Sequence, residues 1–252
     1  MSTDNSNVIN KSNLDNYLNE LSKAYKKLAG RNTPVEIILI GGAAILENYG
    51  FRDMTTDVDA VYTASSALKE AINLVGDQYS LPNGWLNDDF KKTASYSKEL
   101  YRYSVPYKTF NQVLHIRTVT SEYLIAMKLR SARQYKNDLS DIVGILNEHQ
   151  KRGEPITFEK VDTAVQNLYG GWEDFEEAAI RFIKDTFANG DYESLYAITK
   201  NSEKEAKGLL VQFESDYPKV LKTENVSSVL KTLRAKQSSW KKAPKRRNDH
   251  ER

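Results

Sequence analysis

Leu14, Tyr17, Leu18, Leu21, Tyr25 and Leu28 recur at three- and four-residue spacing. They predict an amphipathic helix that Ser12 would cap, with Asp15 three residues on, and that Gly30 would stop. The period then changes. Val35, Glu36, Ile37, Ile38, Leu39 and Ile40 form a β-rich run closed by Gly41 and Gly42, with a short helical stretch over 43–47. After a loop over 48–56, Asp57, Val58, Asp59, Ala60, Val61 and Tyr62 predict a second strand with both carboxylates on one face, and 65–75 a further helix. Beyond Leu81, Pro82, Asn83, Gly84 and Trp85, segments 100–107 and 112–119 have β-like composition and are expected as later strands of the same sheet. From Thr120 onward the spacing is helical almost to the end, with turns at Gly153 and Pro155, at Gly170 and Gly171, at Asn189 and Gly190, and at Tyr217 and Pro218. This order implies an α/β fold, a mixed sheet flanked by helices, followed by an all-helical C-terminal region.

The expected organisation is a flexible leader over 1–12, an α/β core with its N-terminal helix over 13–120, a helical region over 121–230 that completes the site and packs on the core, and a basic tail over 231–252. A length of 252 residues at 40% hydrophobic content is enough for a substantial core. The chain has no apolar run of about 18 residues and begins with a polar stretch, so a cytoplasmic location without a membrane partner is expected. Cysteine is absent, and His115, His149 and His250 are scattered, which excludes thiolate zinc sites and cysteine nucleophiles. A metal, if used, would be held by oxygen, which favours magnesium or manganese. The formal charge of +2 hides an asymmetry, because nine Lys/Arg against two Asp/Glu fall between Lys231 and Arg252. A basic end on a mildly acidic body suits an anionic partner, nucleic acid first, although the same run also reads as a solvated tail.

The chemistry-bearing unit is Gly41 and Gly42, fourteen intervening residues, then Asp57 and Asp59. Two carboxylates at i and i+2 can share divalent ions that neutralise triphosphate oxygens. A glycine turn at a helix N-terminus lets backbone N–H groups approach those phosphates. Either half alone is an ordinary tight turn or strand end. In the order strand, glycine pair, helix, strand, Asp-x-Asp, they describe a phosphoryl-transfer site that lacks only its acceptor.

The stretch from Ile40, Gly41, Gly42, Ala43 and Ala44 through Arg52, Thr55, Thr56, Asp57 and Asp59 resembles the first motif of the AbiEii-like nucleotidyltransferases, a branch of the polymerase-β-type superfamily. The run from Leu81 to Asp88 adds to the likeness, as does Glu122 to Leu129 leading to Arg133, Lys136, Asp138, Leu139 and Asp141. The resemblance covers residues 35–146. It implies phosphate cradling by Gly41 and Gly42, nucleotide contacts from Arg52, Thr55, Thr56 and Lys128, and metal binding by Asp57 and Asp59. Asp138 or Asp141 would orient Lys128 or serve as an extra acid. The implied reaction moves a nucleoside monophosphate from a nucleoside triphosphate, with Mg2+ or Mn2+, to an acceptor hydroxyl. Members are often toxins paired with a DNA-binding antitoxin encoded beside them, and related toxins modify tRNA ends, so RNA is the acceptor this likeness favours.

Plainer readings stand beside these. A helix lysine such as Lys128 is ordinarily solvated, and Asp138 with Asp141 could simply cap the helix that Leu139, Ile142, Val143 and Leu146 predict. The superfamily's third carboxylate, from a neighbouring strand, has no counterpart between Gln112 and Thr118. His115 and Arg117 alternate with apolar residues there, so His115 either replaces that acid as a base or makes a structural hydrogen bond. Tyr96, Tyr101, Tyr103 and Tyr107 could stack a base or pack on the sheet. The missing acid supports an alternative function, a catalytically silent nucleotide- or RNA-binding module of the same fold. A helical interaction protein on an α/β scaffold is a third reading.

Overall fold

The computed structural model describes residues 9–51, 54–55 and 57–242. The expected leader up to residue 8, Arg52, Thr56 and the basic stretch from 243 lie outside the described residues. Helix α1 (Lys11–Ala29) does end at Gly30, which carries a positive φ of 86°. Its cap is Asn10 rather than Ser12: the Asn10 side chain accepts from the Ser12 and Asn13 N–H groups, and Asn13 reciprocates to the Asn10 backbone. An asparagine carbonyl is a strong cap acceptor, and the Ser12 hydroxyl donates to it instead of competing with it. Asp15 in turn pairs with Lys108.

The sheet is built from β1 (Val35–Leu39), β2 (Val58–Tyr62), β3 (Leu86–Asn87), β4 (Ser104–Phe110) and β5 (Leu114–Val119) in the spatial order β3-β2-β1-β5-β4. Strand β1 runs antiparallel to β2 and parallel to β5, which makes the sheet mixed, as the element order implied. Ile37, Ile38 and Leu39 at its centre are fully buried, and burying each such side chain stabilises by roughly 1.5–3 kcal/mol. Between β1 and β2 lies α2 (Gly41–Asn48), and after β2 comes α3 (Ser66–Tyr79), capped by the Ser65 hydroxyl accepting from the Leu68 N–H.

The segment from Leu81 to Asp88 supports β2 from the outside. Trp85 is buried, donates its indole N–H to the Ile72 carbonyl at 2.9 Å, and accepts the Val58 N–H at 2.7 Å through its own carbonyl. A 3₁₀ turn (Asp89–Lys92) follows. The expected strand over 100–107 begins only at Ser104, because Leu100–Tyr103 forms a single helical turn, α4. Its Leu100 is driven fully into the core and Tyr103 stacks on Tyr123 with ring centroids 4.6 Å apart. Tertiary packing of this kind overrides the β propensity of the two tyrosines.

Helices α5 (Ser121–Ser131), α6 (Asp138–Lys151), α7 (Phe158–Tyr169), α8 (Glu177–Asn189), α9 (Tyr192–Asp216) and α10 (Val226–Lys242) complete the described chain. Gly170 and Gly190 close α7 and α8 in the left-handed conformation that glycine reaches without a Cβ penalty. One continuous core joins α1, the sheet and α5 to α8, and a smaller cluster of Ala206, Leu210 and Leu230 joins α9 to α10. Helix α10 takes in the first part of the basic C-terminal stretch. No helix among the described residues is long and apolar enough to cross a membrane.

Candidate active site

The backbone turns sharply where β1 meets α2. Gly41 has φ of 57°, and a Cβ there would lie 3.0 Å from Asp59 Oδ2, so any side chain at this turn would press on that carboxylate. The N-cap of α2 is Ile40, which supplies no side-chain acceptor to the first-turn N–H groups. Its own N–H donates to the Asp59 carbonyl at 3.0 Å and ties the turn to β2. Asp59 is half-buried on β2, while Asp57 is exposed and just precedes the strand instead of opening it. Thr55 is buried, forms a bridge with Ile9, and donates its hydroxyl to the Asp57 carbonyl at 2.9 Å.

Burial raises the Asp59 pKa and the negative charge of Asp57 adds to it, against the opposing pull of Lys128, Arg133 and Lys136. Such a pair is relieved by a cation, and its donor set is oxygen only. Two carboxylates are what magnesium takes from a protein when phosphate oxygens and water complete its shell. Asp57 and Asp59 therefore fit a metal–triphosphate complex. Among the described residues, no group of three or more His, Asp or Glu side chains is arranged to hold a metal ion.

Across from this pair, α5 presents Lys128. Its Nζ lies 2.9 Å from Asp138 Oδ1 and 2.8 Å from Asp141 Oδ2, and its side chain is 11% exposed. The plain reading of a solvated helix lysine does not hold. Arg133 also grips Asp138, through Nε at 2.8 Å, Nη2 at 3.2 Å and its backbone N–H at 3.2 Å. Burial would raise the Asp138 pKa, but the charge of Lys128 and the bonds and charge of Arg133 prevail and hold it down to about 2.

The expected capping by Asp138 and Asp141 is not what the structure shows. Asp138 is the first residue of α6, the N-cap Asn137 makes no side-chain cap bond, and the carboxylates of both acids face Lys128. The cap comes from Glu203 on α9, which accepts the Leu139 N–H at 2.8 Å and the Ser140 N–H at 3.3 Å. Burial pushes the Glu203 carboxyl up to about 7, against the hydrogen bonds from Ser140 and Leu139, with Asp141 adding repulsion. In the sequence its only signal is an acid standing in helical register with the apolar Ala206 and Leu210.

These groups converge on a cleft of about 750 Å³ lined by Gly41, Gly42, Thr55, Asp57, Asp59, Lys128, Arg133, Lys136 and Asp138. Asp141 lies behind Lys128, against a smaller hollow of about 170 Å³. The far wall, within the helical region expected to complete the site but at residues the sequence did not single out, comes from Lys207, Leu210, Val211 and Glu214 of α9 with Leu221 and Val226. Phe90 of the 3₁₀ turn also reaches the cleft.

His115 and Arg117 do share a sheet face, since both alternate with buried residues along β5. Neither lines the cleft: His115 bonds Thr109 Oγ1 at 3.0 Å, and Arg117 donates to Ser104 Oγ at 2.7 Å. The structural role is the one observed for His115. The tyrosines also pack: Tyr96 meets Phe90 edge-on, Tyr103 stacks on Tyr123, and Tyr107 donates to Glu47, while Tyr101 is exposed but not in the cleft.

A family model described as "Nucleotidyltransferase of unknown function (DUF6036)" matches residues 16–165. That span contains Gly41, Gly42, Asp57, Asp59, Lys128, Asp138 and Asp141, and ends before α9 and α10. No curated protein and no solved structure matches the chain significantly.

Proposed function

Because the chain belongs to the DUF6036 family of nucleotidyltransferases, whose function is unknown, we propose that it transfers a nucleoside monophosphate from a nucleoside triphosphate to an acceptor hydroxyl in a magnesium-dependent reaction. The observation that carries this reading is the convergence of the Gly41–Gly42 turn, Asp57, Asp59 and Lys128 on one cleft. Asp57 and Asp59 would hold the Mg2+ or Mn2+, which when bound neutralises triphosphate oxygens and lowers the cost of deprotonating the acceptor. The N–H groups at the start of α2 would receive phosphate oxygens, helped by the helix dipole. Lys128 would meet the triphosphate as a positive charge whose position Asp138 and Asp141 fix. The acceptor hydroxyl attacks the α-phosphorus as its proton passes to solvent, the bond from that phosphorus to the bridging oxygen breaks, and pyrophosphate leaves with the electron pair. Positioning and charge stabilisation supply most of the rate in such chemistry. The ion pairing of Asp138 favours the lysine-orienting role over that of an extra acid.

The finer reading follows the AbiEii-like resemblance. It makes RNA, and tRNA in particular, the acceptor, the protein the cytoplasmic toxin of a toxin–antitoxin pair, and a cognate antitoxin its protein partner. The basic C-terminal stretch agrees with a polyanionic acceptor: deleting it should weaken RNA binding and flatten its dependence on salt. One observation favours a second reading, a silent binding module: β5 brings no carboxylate to the cleft. Incubation with total RNA, magnesium and each labelled nucleoside triphosphate, beside folded Asp57→Ala and Asp59→Ala variants, decides between them. Label transfer by the parent alone establishes the enzyme. Nucleotide binding without transfer would establish the silent module.

A further inference from the structure

Three carboxylates meet around the N-terminus of α6, and two of them are committed elsewhere. Asp138 and Asp141 turn to Lys128 at 2.9 and 2.8 Å, and Asn137 offers no side-chain acceptor. The N–H groups of Leu139 and Ser140 would then lack an acceptor beside a residue that is only 3% exposed, Ser140. Leaving such a donor unpaired in the interior costs about 1–3 kcal/mol. Glu203, itself buried, reaches in from α9 and accepts from both N–H groups.

We propose that Glu203 is a positioning residue of the transferase site: it caps α6 from outside the helix, so that Asp138 and Asp141 can hold the Lys128 ammonium at the cleft. The proposal rests on the reading of Lys128 as the triphosphate contact. Without Glu203, the exposed helix dipole and its N–H groups compete with Lys128 for the two first-turn acids. The same clamp sets the far wall. Lys207, Leu210, Val211 and Glu214 follow Glu203 along α9 at helical spacing and line the cleft, so the α6–α9 contact fixes how far that wall stands from Lys128. Glu203 and these wall residues all lie beyond the 16–165 span shared with the family. A C-terminal helix outside that span thereby orders a lysine within it.

The test reads Lys128 directly. The full-length protein is pulsed with acetic anhydride and acetylation of Lys128 is quantified by mass spectrometry. In Glu203→Ala the labelling is expected to rise about tenfold, the factor equivalent to losing a cap worth about 1.4 kcal/mol. Glu203→Gln, which keeps an acceptor for the Leu139 N–H, should return it close to the parent. Glu203→Asp, which withdraws the carboxylate by one methylene, should give a smaller rise and serves if the alanine variant does not fold. Leu230→Ala, which loosens the α9–α10 contact without touching the cap, should leave labelling unchanged. Equal labelling in a folded Glu203→Ala and the parent would overturn the proposal, as would an equal rise in Leu230→Ala.

Equilibrium binding of the four magnesium nucleoside triphosphates and the matching monophosphates then separates the two readings. Weaker triphosphate binding by Glu203→Ala with unchanged monophosphate binding supports both. If the parent binds no triphosphate while Lys128 labelling rises as expected, the transferase reading fails and the clamp stands.

Discussion

Asp138→Asn is the substitution with the clearest expected magnitude. The carboxylate is 1% exposed, bridges Lys128 and Arg133, and also accepts a backbone N–H, so the amide removes its charge while keeping its shape. Its pKa falls from an ordinary 3.8 to about 2 in the folded protein, which at 1.36 kcal/mol per decade corresponds to about 2.5 kcal/mol. Removing one partner of a buried pair costs roughly 3–5 kcal/mol when the other is left uncompensated. Here Asp141 still holds Lys128, and Arg133 is 44% exposed and partly screened by solvent, so the smaller figure is the expectation. The sign follows from a depressed carboxylate pKa: the stabilisation is complete above the ordinary value and is lost as pH falls through the folded value. Urea denaturation of parent and variant should differ by about 2.5 kcal/mol at pH 7, with the gap closing to a few tenths between about pH 4 and pH 2. A gap under about 1 kcal/mol at neutral pH, or one that does not close in acid, would refute this account of how Lys128 is held.

Glu203 titrates in the opposite sense. Its folded pKa is raised from 4.5 to about 7, so ionising it costs stability, and Glu203→Gln should remove a decline in stability that the parent shows as pH rises across that interval in urea melts. Gly41→Ala forces a left-handed residue and sets its methyl 3.0 Å from Asp59 Oδ2; it should cost about 1–2 kcal/mol in thermal melts and abolish label transfer, and full activity would show that the turn does not position Asp59. Gly144→Ala would put a Cβ 2.7 Å from the Phe51 ring, and overpacking of that kind should cost about 1–3 kcal/mol by calorimetry; a neutral result would mean that the ring swings aside.

The parts of the fold legible in the sequence are those set by neighbours along the chain. The period of α1, its stop at Gly30, the β1 run and the glycine turn before α2 all depend on residues within a few positions of one another. That the glycine turn and the Asp pair belong to one site was legible as well, because the turn follows one strand and Asp59 lies on the next, although the close approach of Gly41 to Asp59 was not. Leu100–Tyr103 was not, since it reads on into the strand that follows and its helical turn goes with the burial of Leu100 and the stacking of Tyr103 on Tyr123. The use of Asp138 was legible only through the family resemblance, which gave Asp138 or Asp141 the orienting of Lys128; by position alone a first-turn aspartate reads as a cap, and the sequence did not show that Glu203 takes that place from another helix. The far wall of the cleft escaped for the same reason, because periodicity identifies an apolar face without saying what it meets.

The parallel pairing of β1 with β5 has a consequence for how the chain is made. Val35 has its partner at Leu114 and Leu39 at Thr118, with α2, β2, α3, β3, α4 and β4 all intervening. During synthesis β1 leaves the ribosome long before β5, and until β5 arrives one edge of Val35–Leu39 has only unpaired N–H and C=O groups beside Ile37, Ile38 and Leu39. Unpaired apolar edges are templates for aggregation, and pairings between distant segments form slowly. A nascent chain stalled before residue 114 is therefore the form most exposed to misassembly, and the arrival of β5 is the event that closes the sheet.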